Sequence, residues 1–300
     1  MFENLFAVGG LSLDRLKSFV EVAEQGAIAR VADGDPSRQS LISRQIGELE
    51  AFFGAELTRR KGKGLELTEA GRELARQVRL QFHGLTDFKA DCARQPVEFR
   101  MAAGNSILEW LLAPAMARIV LSAEGSTFVL SGQRTGDVVR GLLDHTLDFG
   151  IVRKSAIVPP LKFRPIGKLR YALFVPKSLS ALADRDLSKV PLALSVGGNF
   201  LETFQIAAKQ AKQELNIVSR CTSFTLAAQL LRSGVAAAVL PSIAAPFLPS
   251  VAKPRPLSIL ASISRDLGIA WHRRLMDIRP RSTDLLEALA NGLSVDLQKA

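Results

Sequence analysis

The residues from Asp35 to Gly54 constrain the fold of this chain more than any other stretch. They read Asp-Pro-Ser-Arg-Gln-Ser-Leu-Ile-Ser-Arg-Gln-Ile-Gly-Glu-Leu-Glu-Ala-Phe-Phe-Gly. An aspartate at position 35 can accept hydrogen bonds from the first free N–H groups of a helix, and Pro36 suits the first helical position, where no donor is needed. Gly54 suits the left-handed residue that closes the far end. Ile42, Ile46, Leu49 and Phe53 recur at helical spacing and predict one buried stripe. The opposite face carries Arg38, Gln39, Ser40, Ser43 and Arg44. Arginine pairs with guanine, glutamine with adenine, and serine reaches a base edge or a phosphate. Such a face also suits plain solvent, so the neighbouring segments decide between the two readings.

Upstream, Leu13, Leu16, Phe19, Val20 and Ala23 predict an amphipathic helix over 13–25, stopped by Gly26. Residues 27–33 predict a second helix of about two turns, with Ile28, Val31 and Ala32 apolar. Gly34 breaks it, and the Asp35 helix follows. Three helices with a tight turn before the third make a helix-turn-helix. Downstream, Leu57 starts one short strand, and Leu65 and Leu67 alternate as a second. Arg59, Arg60, Lys61 and Lys63 lie between them around Gly62 and Gly64. A hairpin tip with that many cations beside the third helix is expected to meet phosphates. Thr68 then opens a rod to about Arg94, with Leu74, Val78, Leu85 and Phe88 as its apolar supply. A rod that polar is expected to pack against a second copy of the chain.

From Val97 the texture changes to alternating strands and helices, which predicts an α/β domain with parallel sheets. Expected strands are 98–103, 127–131, 147–153, 171–175, 192–196 and 236–240. Expected helices are 107–122, 136–145, 200–215 and 226–233. Gly104-Asn105-Ser106 follows a strand and opens a helix, where free N–H groups favour an anion. Asn105 and Ser106 are therefore candidate ligand contacts, with Gln133, Arg134 and Thr135 in the next strand-to-helix loop. Gly198, Asn199, Ser223 and Phe224 occupy comparable turns further on.

The chain of 300 residues suggests two or three domains. Its two cysteines, Cys92 and Cys221, lie far apart and read as free thiols in a reducing compartment. The N-terminus lacks a basic, apolar leader, and the most apolar run, 235–240, is cut by Pro241. A cytoplasmic protein without a membrane span is expected. The net charge is +10, and its placement is informative. Residues 1–95 hold 14 basic and 14 acidic side chains, leaving 25 basic and 15 acidic beyond them. The surplus therefore lies outside the helix-turn-helix, where it suits an anionic small ligand or solubility.

Three blocks carry a family resemblance: Leu13-Asp14-Arg15-Leu16-Lys17-Ser18-Phe19 through Gly26, Ser43-Arg44-Gln45-Ile46-Gly47-Glu48-Leu49-Glu50, and Leu65-Glu66-Leu67-Thr68-Glu69-Ala70-Gly71. In residues and spacing they resemble the N-terminal module of LysR-type transcriptional regulators of bacteria. Leu147-Asp148-Phe149-Gly150-Ile151-Val152 and the run 233–241 resemble the family's effector domain. The chain departs from the family at Asp35, where a leucine is usual, at Ser37, where an apolar residue is usual, and at Thr58, often phenylalanine. Arg38 and Ser40 also differ from the commonest residues.

The resemblance implies a winged helix-turn-helix over 1–67 and a linker and dimerisation helix over 68–95. It further implies a two-lobed effector domain over 96–300, built like periplasmic binding proteins. Lobe I would be 97–163 with 267–300, and lobe II 164–266. Implied partners are double-stranded promoter DNA, a small effector, a second copy in a dimer or tetramer, and RNA polymerase. No cofactor is expected. An enzyme is the competing class, but the chain has no phosphate-binding glycine loop of the Walker or dinucleotide type and no Gly-x-Ser-x-Gly elbow. Its histidines, His83, His145 and His272, have no second histidine at metal-ligand spacing. A ligand-independent architectural DNA binder is the second alternative, although a two-lobed domain is an extravagant appendage for one.

Overall fold

The computed structural model describes residues 3–6, 9–62, 64–197, 200–248, 252–255 and 257–299. Backbone proximity divides the chain into two units, Met1–Ala93 with Asp144–Thr146, and Arg94–Leu143 with Leu147–Ala300.

The first unit contains helices α1 (Glu3–Phe6), α2 (Leu13–Gln25), α3 (Ile28–Val31) and α4 (Pro36–Phe53). A hairpin of β1 (Thr58–Lys61) and β2 (Gly64–Leu67) and the long helix α5 (Glu69–Cys92) complete it. The Ser12 hydroxyl accepts from Arg15 N–H at the start of α2, and Gly26 ends that helix at φ 69°. α3 has one turn rather than the expected two. Ala27 gives it no side-chain cap, and Asp33 and Gly34 leave the helical region at φ 51° and 81°. Phe19, Val22, Ile42, Ile46, Leu49 and Leu57 form the core. Phe53, expected on the buried stripe, is 40% exposed and stacks edge-on against Phe52.

Thr68 caps α5 by accepting from Gly71 N–H at 3.0 Å. Gly71 is obligatory there, because an added Cβ would stand 2.0 Å from the Leu57 carbonyl oxygen. The rod uses its apolar residues unevenly. Ala75 and Val78 are buried in the unit's own core, and Leu74 packs on it. Leu85 and Phe88 are 54% and 69% exposed. Leu74 and Val78 are thus spent internally, a correction to the rod's expected role for them. Segment Asp144–Thr146 joins this unit through Asp144, which accepts from Arg76 Nε at 3.0 Å and, through its carbonyl, from Arg79 Nη1 at 3.1 Å.

The second unit begins with β3 (Val97–Ala103), α6 (Asn105–Ile107), α7 (Ala113–Ser122), β4 (Ser126–Gly132), α8 (Thr135–Leu143), β5 (Phe149–Arg153) and β6 (Leu161–Leu169). It continues with β7 (Tyr171–Pro176), α9 (Ser180–Arg185), β8 (Pro191–Ser195), α10 (Phe200–Gln210), β9 (Asn216–Cys221), α11 (Phe224–Arg232), β10 (Ala237–Pro241) and β11 (Ala252–Arg255). It ends with β12 (Arg265–His272), α12 (Leu275–Ile278) and α13 (Ser282–Lys299). A π-helical stretch, Leu108–Leu112, joins α6 to α7, so Pro114 enters a continuous helix without breaking it. His145, expected to end a helix, lies beyond α8 in a left-handed turn at φ 55°.

Two five-stranded sheets form, ordered β4-β3-β5-β12-β6 and β11-β7-β10-β8-β9. They are mixed, not parallel: β12 runs antiparallel to β5 and β6, and β7 antiparallel to β10 and β11. β6 continues in the first sheet to Leu169, so the chain leaves that sheet at Arg170, later than the boundary at 163 expected from sequence. It returns at Arg265, which pairs with Leu169.

Candidate DNA-reading face and ligand cleft

The Asp35 carboxylate accepts from Ser37 N–H at 2.8 Å and Arg38 N–H at 3.4 Å, and Pro36 opens α4. Gly54 closes it at φ 64°. Burial of Ile42, Ile46 and Leu49 turns the other face outward. Arg38, Ser40, Ser43 and Arg44 are exposed, and Gln39 is half-buried. Ser40 donates to the Pro36 carbonyl at 3.0 Å, Arg38 lies 3.6 Å from Asp33, and Arg44 lies 3.9 Å from Glu48. Loose surface pairs of this kind are worth little and exchange readily for phosphate or base contacts.

Glu50, on the same helix, is a contact that sequence reasoning missed. Its Oε1 accepts from Leu57 N–H at 2.8 Å, Thr58 N–H at 3.0 Å and the Thr58 hydroxyl at 3.3 Å. The departure at Thr58 thus has a role, since its hydroxyl completes this clamp. The hairpin's other strand is tied by Leu65 N–H donating to the Gly26 carbonyl at 3.0 Å. Arg59, Arg60 and Lys61 are exposed on β1, with Arg59 3.5 Å from Glu56 and Lys61 3.1 Å from Glu66. Lys63 lies outside the described residues.

In the second unit, Gly104 caps the helix that starts at Asn105, and no side chain caps it. Asn105 and Ser106 are therefore not occupied as caps. The Asn105 amide lies over Gly132, where an added Cβ would stand 2.1 Å from its Oδ1. That contact brings the Asn105 turn beside the Gln133 loop. Gln133 N–H donates to the Ala103 carbonyl at 2.8 Å, and its side-chain amide donates to Ser131 Oγ at 3.0 Å. Arg134 is exposed and Thr135 half-buried. Across from them, α11 approaches α6. Ser223 caps α11, accepting from Leu226 N–H at 3.1 Å, and Phe224 is half-buried. Gly198 and Asn199 lie outside the described residues. Of the seven candidates described in this unit, Asn105 and Gln133 thus lie on adjoining turns, Phe224 begins the helix that approaches α6, and Ser223 is engaged as a cap.

Sequence reasoning also missed three groups on the sheet crossovers: Arg153, Tyr171 and Arg265. Burial raises the Tyr171 hydroxyl pKa most, and the charges of Arg265 and then Arg153 act against that rise. Among the described residues, no group of His, Cys, Asp and Glu is arranged to hold a metal ion, and no helix is long and apolar enough to cross a membrane.

A helix-turn-helix with a wing, followed by a domain of two mixed sheets, is the architecture of a DNA-binding regulator with a ligand-binding domain. Family comparison makes the class specific. Residues 13–72 match the bacterial regulatory helix-turn-helix protein, lysR family, and residues 95–294 match the LysR substrate binding domain. The chain belongs to the LysR family of transcriptional regulators. It is 29% identical over 240 residues to the HTH-type transcriptional regulator TcbR of Pseudomonas sp. (strain P51), covering 76% of this chain and 82% of that one. Over 179 residues it is 27% identical to the uncharacterized HTH-type transcriptional regulator YfeR of Shigella flexneri, a match spanning 58% of this chain but only 56% of YfeR. Full-length CbnR complexed with its target DNA has the same fold, with a TM-score of 0.63 at 23% identity, covering 94% of this chain and all of that one (100%).

Proposed function

We propose that this regulator binds promoter DNA through the outward face of α4 and the β1–β2 wing, and that a small anion in the crevice of the second unit modulates that binding. In this reading residues 1–67 bind DNA, 68–95 link and dimerise, and 96–300 sense the effector. Gln39, Ser40, Ser43 and Arg44 meet base edges in the major groove, and Arg38, Arg59, Arg60, Lys61 and Lys63 meet phosphates. Asn105, Ser106, Gln133, Arg134 and Thr135 face the effector from one side, and Gly198, Asn199, Ser223 and Phe224 from the other. The protein acts in the cytoplasm as a homo-oligomer, with RNA polymerase as its further partner, and carries out no catalysis.

The observation that carries the reading is the pairing of two open surfaces. One is a helix whose apolar side is buried and whose polar side is exposed. The other is a helix start without a side-chain cap, at the C-terminal end of β3 and beside the Gln133 loop. The test is selection from a pool of random duplexes by the full-length protein, followed by melting of the protein with a panel of carboxylates and phosphates. Enrichment of a sequence with two related half-sites is expected, together with a ligand that raises the melting temperature. Failure to enrich any sequence would overturn the DNA reading. Enrichment with no stabilising ligand in the panel would favour the ligand-independent architectural alternative.

A further inference from the structure

Two arginines and a tyrosine converge where the chain passes between its two sheets. β5 ends at Arg153, which stands opposite Leu267 of β12. Arg265 begins β12 two residues earlier, opposite Leu169 of β6. Residues two apart on a strand share a face. Arg153 and Arg265 are therefore diagonal neighbours on one face, about 7–8 Å apart at the backbone and within reach of each other's long side chains. Tyr171 follows Leu169 by two residues and begins β7 in the second sheet. Tyr171 therefore follows closely on the strand pair that carries Arg265, and the charges of Arg265 and Arg153 oppose the rise in its hydroxyl pKa that burial causes.

The Tyr171 ring is not isolated. It lies 4.6 Å from the Phe200 ring and 5.7 Å from the Phe224 ring, with Phe200 and Phe224 5.1 Å apart in an edge-to-face pair. Phe200 is fully buried and packs against both other rings. Phe224 is half-buried and begins α11, the helix that approaches the Asn105 turn. The three rings thus form one cluster joining the start of β7 to the starts of α10 and α11.

Each part of this arrangement selects a chemistry. Two guanidiniums side by side on one face favour an anion between them, and their planar forks match a carboxylate. A wall of aromatic rings favours a flat apolar body stacked or edge-on against it. An ammonium group beside the carboxylate would face two like charges and be disfavoured. We infer that the effector of this protein is an aryl carboxylate without an amino group, its carboxylate held by Arg153 and Arg265 with the Tyr171 hydroxyl donating, and its ring against Phe224. The inference rests on the crevice being the effector site, and it names the chemical class that the site takes.

The test uses calorimetric titration of the full-length protein with benzoate as the probe. Benzamide, acetate, phenylalanine and inorganic phosphate each alter one feature of it. Benzoate is expected to bind, with benzamide and acetate at least about tenfold weaker, since each lacks either the charge or the ring. Arg153→Gln and Arg265→Gln should each weaken benzoate by about tenfold or more, and Tyr171→Phe by less. Arg153→Lys keeps the charge and loses the fork, so it should bind benzoate between the wild type and Arg153→Gln, and it serves if the glutamine variant fails to fold. Phosphate or phenylalanine binding as tightly as benzoate, in an Arg153-dependent manner, would overturn the aryl carboxylate while leaving the crevice as the effector site. Benzoate binding that neither arginine variant weakens, or no benzoate binding at all, would also overturn it. Neither result touches operator selection, which the random-duplex experiment decides separately.

Discussion

Arg279 and Asp148 form an ion pair that is almost wholly buried, with Arg279 Nη1 2.6 Å from Asp148 Oδ1 and side-chain exposures of 2% and 6%. The remaining valences are used. Arg100 N–H donates to Asp148 Oδ2 at 2.8 Å, Arg279 Nη2 donates to the Glu98 carbonyl at 2.7 Å, and the guanidinium lies 4.5 Å from the Phe99 ring centroid. The pair pins the segment before α13 to the ends of β3 and β5. Removing one partner from such a site costs about 3–5 kcal/mol, because the other charge is left buried and unpaired. Arg279→Met or Asp148→Asn alone should therefore lower the denaturation midpoint sharply. The double variant should lose clearly less than the sum of the two. Additive losses would show that the two side chains do not depend on each other.

Roles on the DNA-reading face separate by salt dependence. Arg44→Ala should lose about 1–3 kcal/mol on the selected sequence and relax preference at one base position. Arg60→Ala should weaken all duplexes alike and reduce the salt slope by about one unit. Fluorescence anisotropy over a salt series measures both. An Arg60 variant with altered base preference, or an Arg44 variant with none, would reverse the assignment.

Exposure along α5 divides its apolar residues between two tasks. Leu85→Asp with Phe88→Asp should give a folded protein whose association constant is reduced in sedimentation, because both side chains are exposed and available to a partner. Val78→Asp should instead unfold the first unit, since Val78 belongs to its core. Unchanged sedimentation of the double variant would place the contact between copies elsewhere.

Gly71→Ala should abolish operator binding through misfolding of the winged unit. The added methyl collides with the Leu57 backbone, which no rotamer change can move aside. Circular dichroism and melting would show a destabilised first unit, whereas a stable variant with normal melting would contradict the close approach.

Thiol reactivity should differ between the two cysteines. Cys92 is exposed, whereas Cys221 is buried and burial pushes its thiol pKa upward. The thiolate is the reactive form, so at neutral pH a disulfide reagent should modify one thiol per chain quickly and the second only on denaturation. Fast reaction of both in the native protein would contradict the burial of Cys221.

Much of the first unit is legible in the sequence because its signals are local. Asp35, Pro36 and Gly54 mark α4 within one stretch, and its reading face follows from the burial of Ile42, Ile46 and Leu49. The stripe fails at Phe53, the last residue of the helix, where the core has already ended. In the second unit, β6 and β12 escaped detection because Lys162, Arg164, Pro165, Gly167 and Lys168 interrupt one, and Arg265, Asp266 and Gly268 the other. Both belong to the first sheet, their ends at Leu169 and Arg265 adjoin the passage to the second, and a bulge shifts their register at Leu267 and Gly268. Loop candidates such as Asn105 and Gln133 follow from strand-to-helix order alone. Arg153, Tyr171 and Arg265 do not, because only strand register brings them together. The same holds for Arg279 and Asp148, which are 131 residues apart.

The Glu50 clamp bears on how such a protein can be altered, by descent or by design. One carboxylate on the reading helix holds the first residues of the wing by three hydrogen bonds. Helix and wing are therefore one rigid jig, and neither can be tilted to suit a new half-site without breaking the other's anchor. New preferences must come from exchanging outward side chains on a fixed chassis. A graft of this reading face onto another scaffold would need Glu50, Thr58 and Gly71 to travel with it, although none of the three need touch a base.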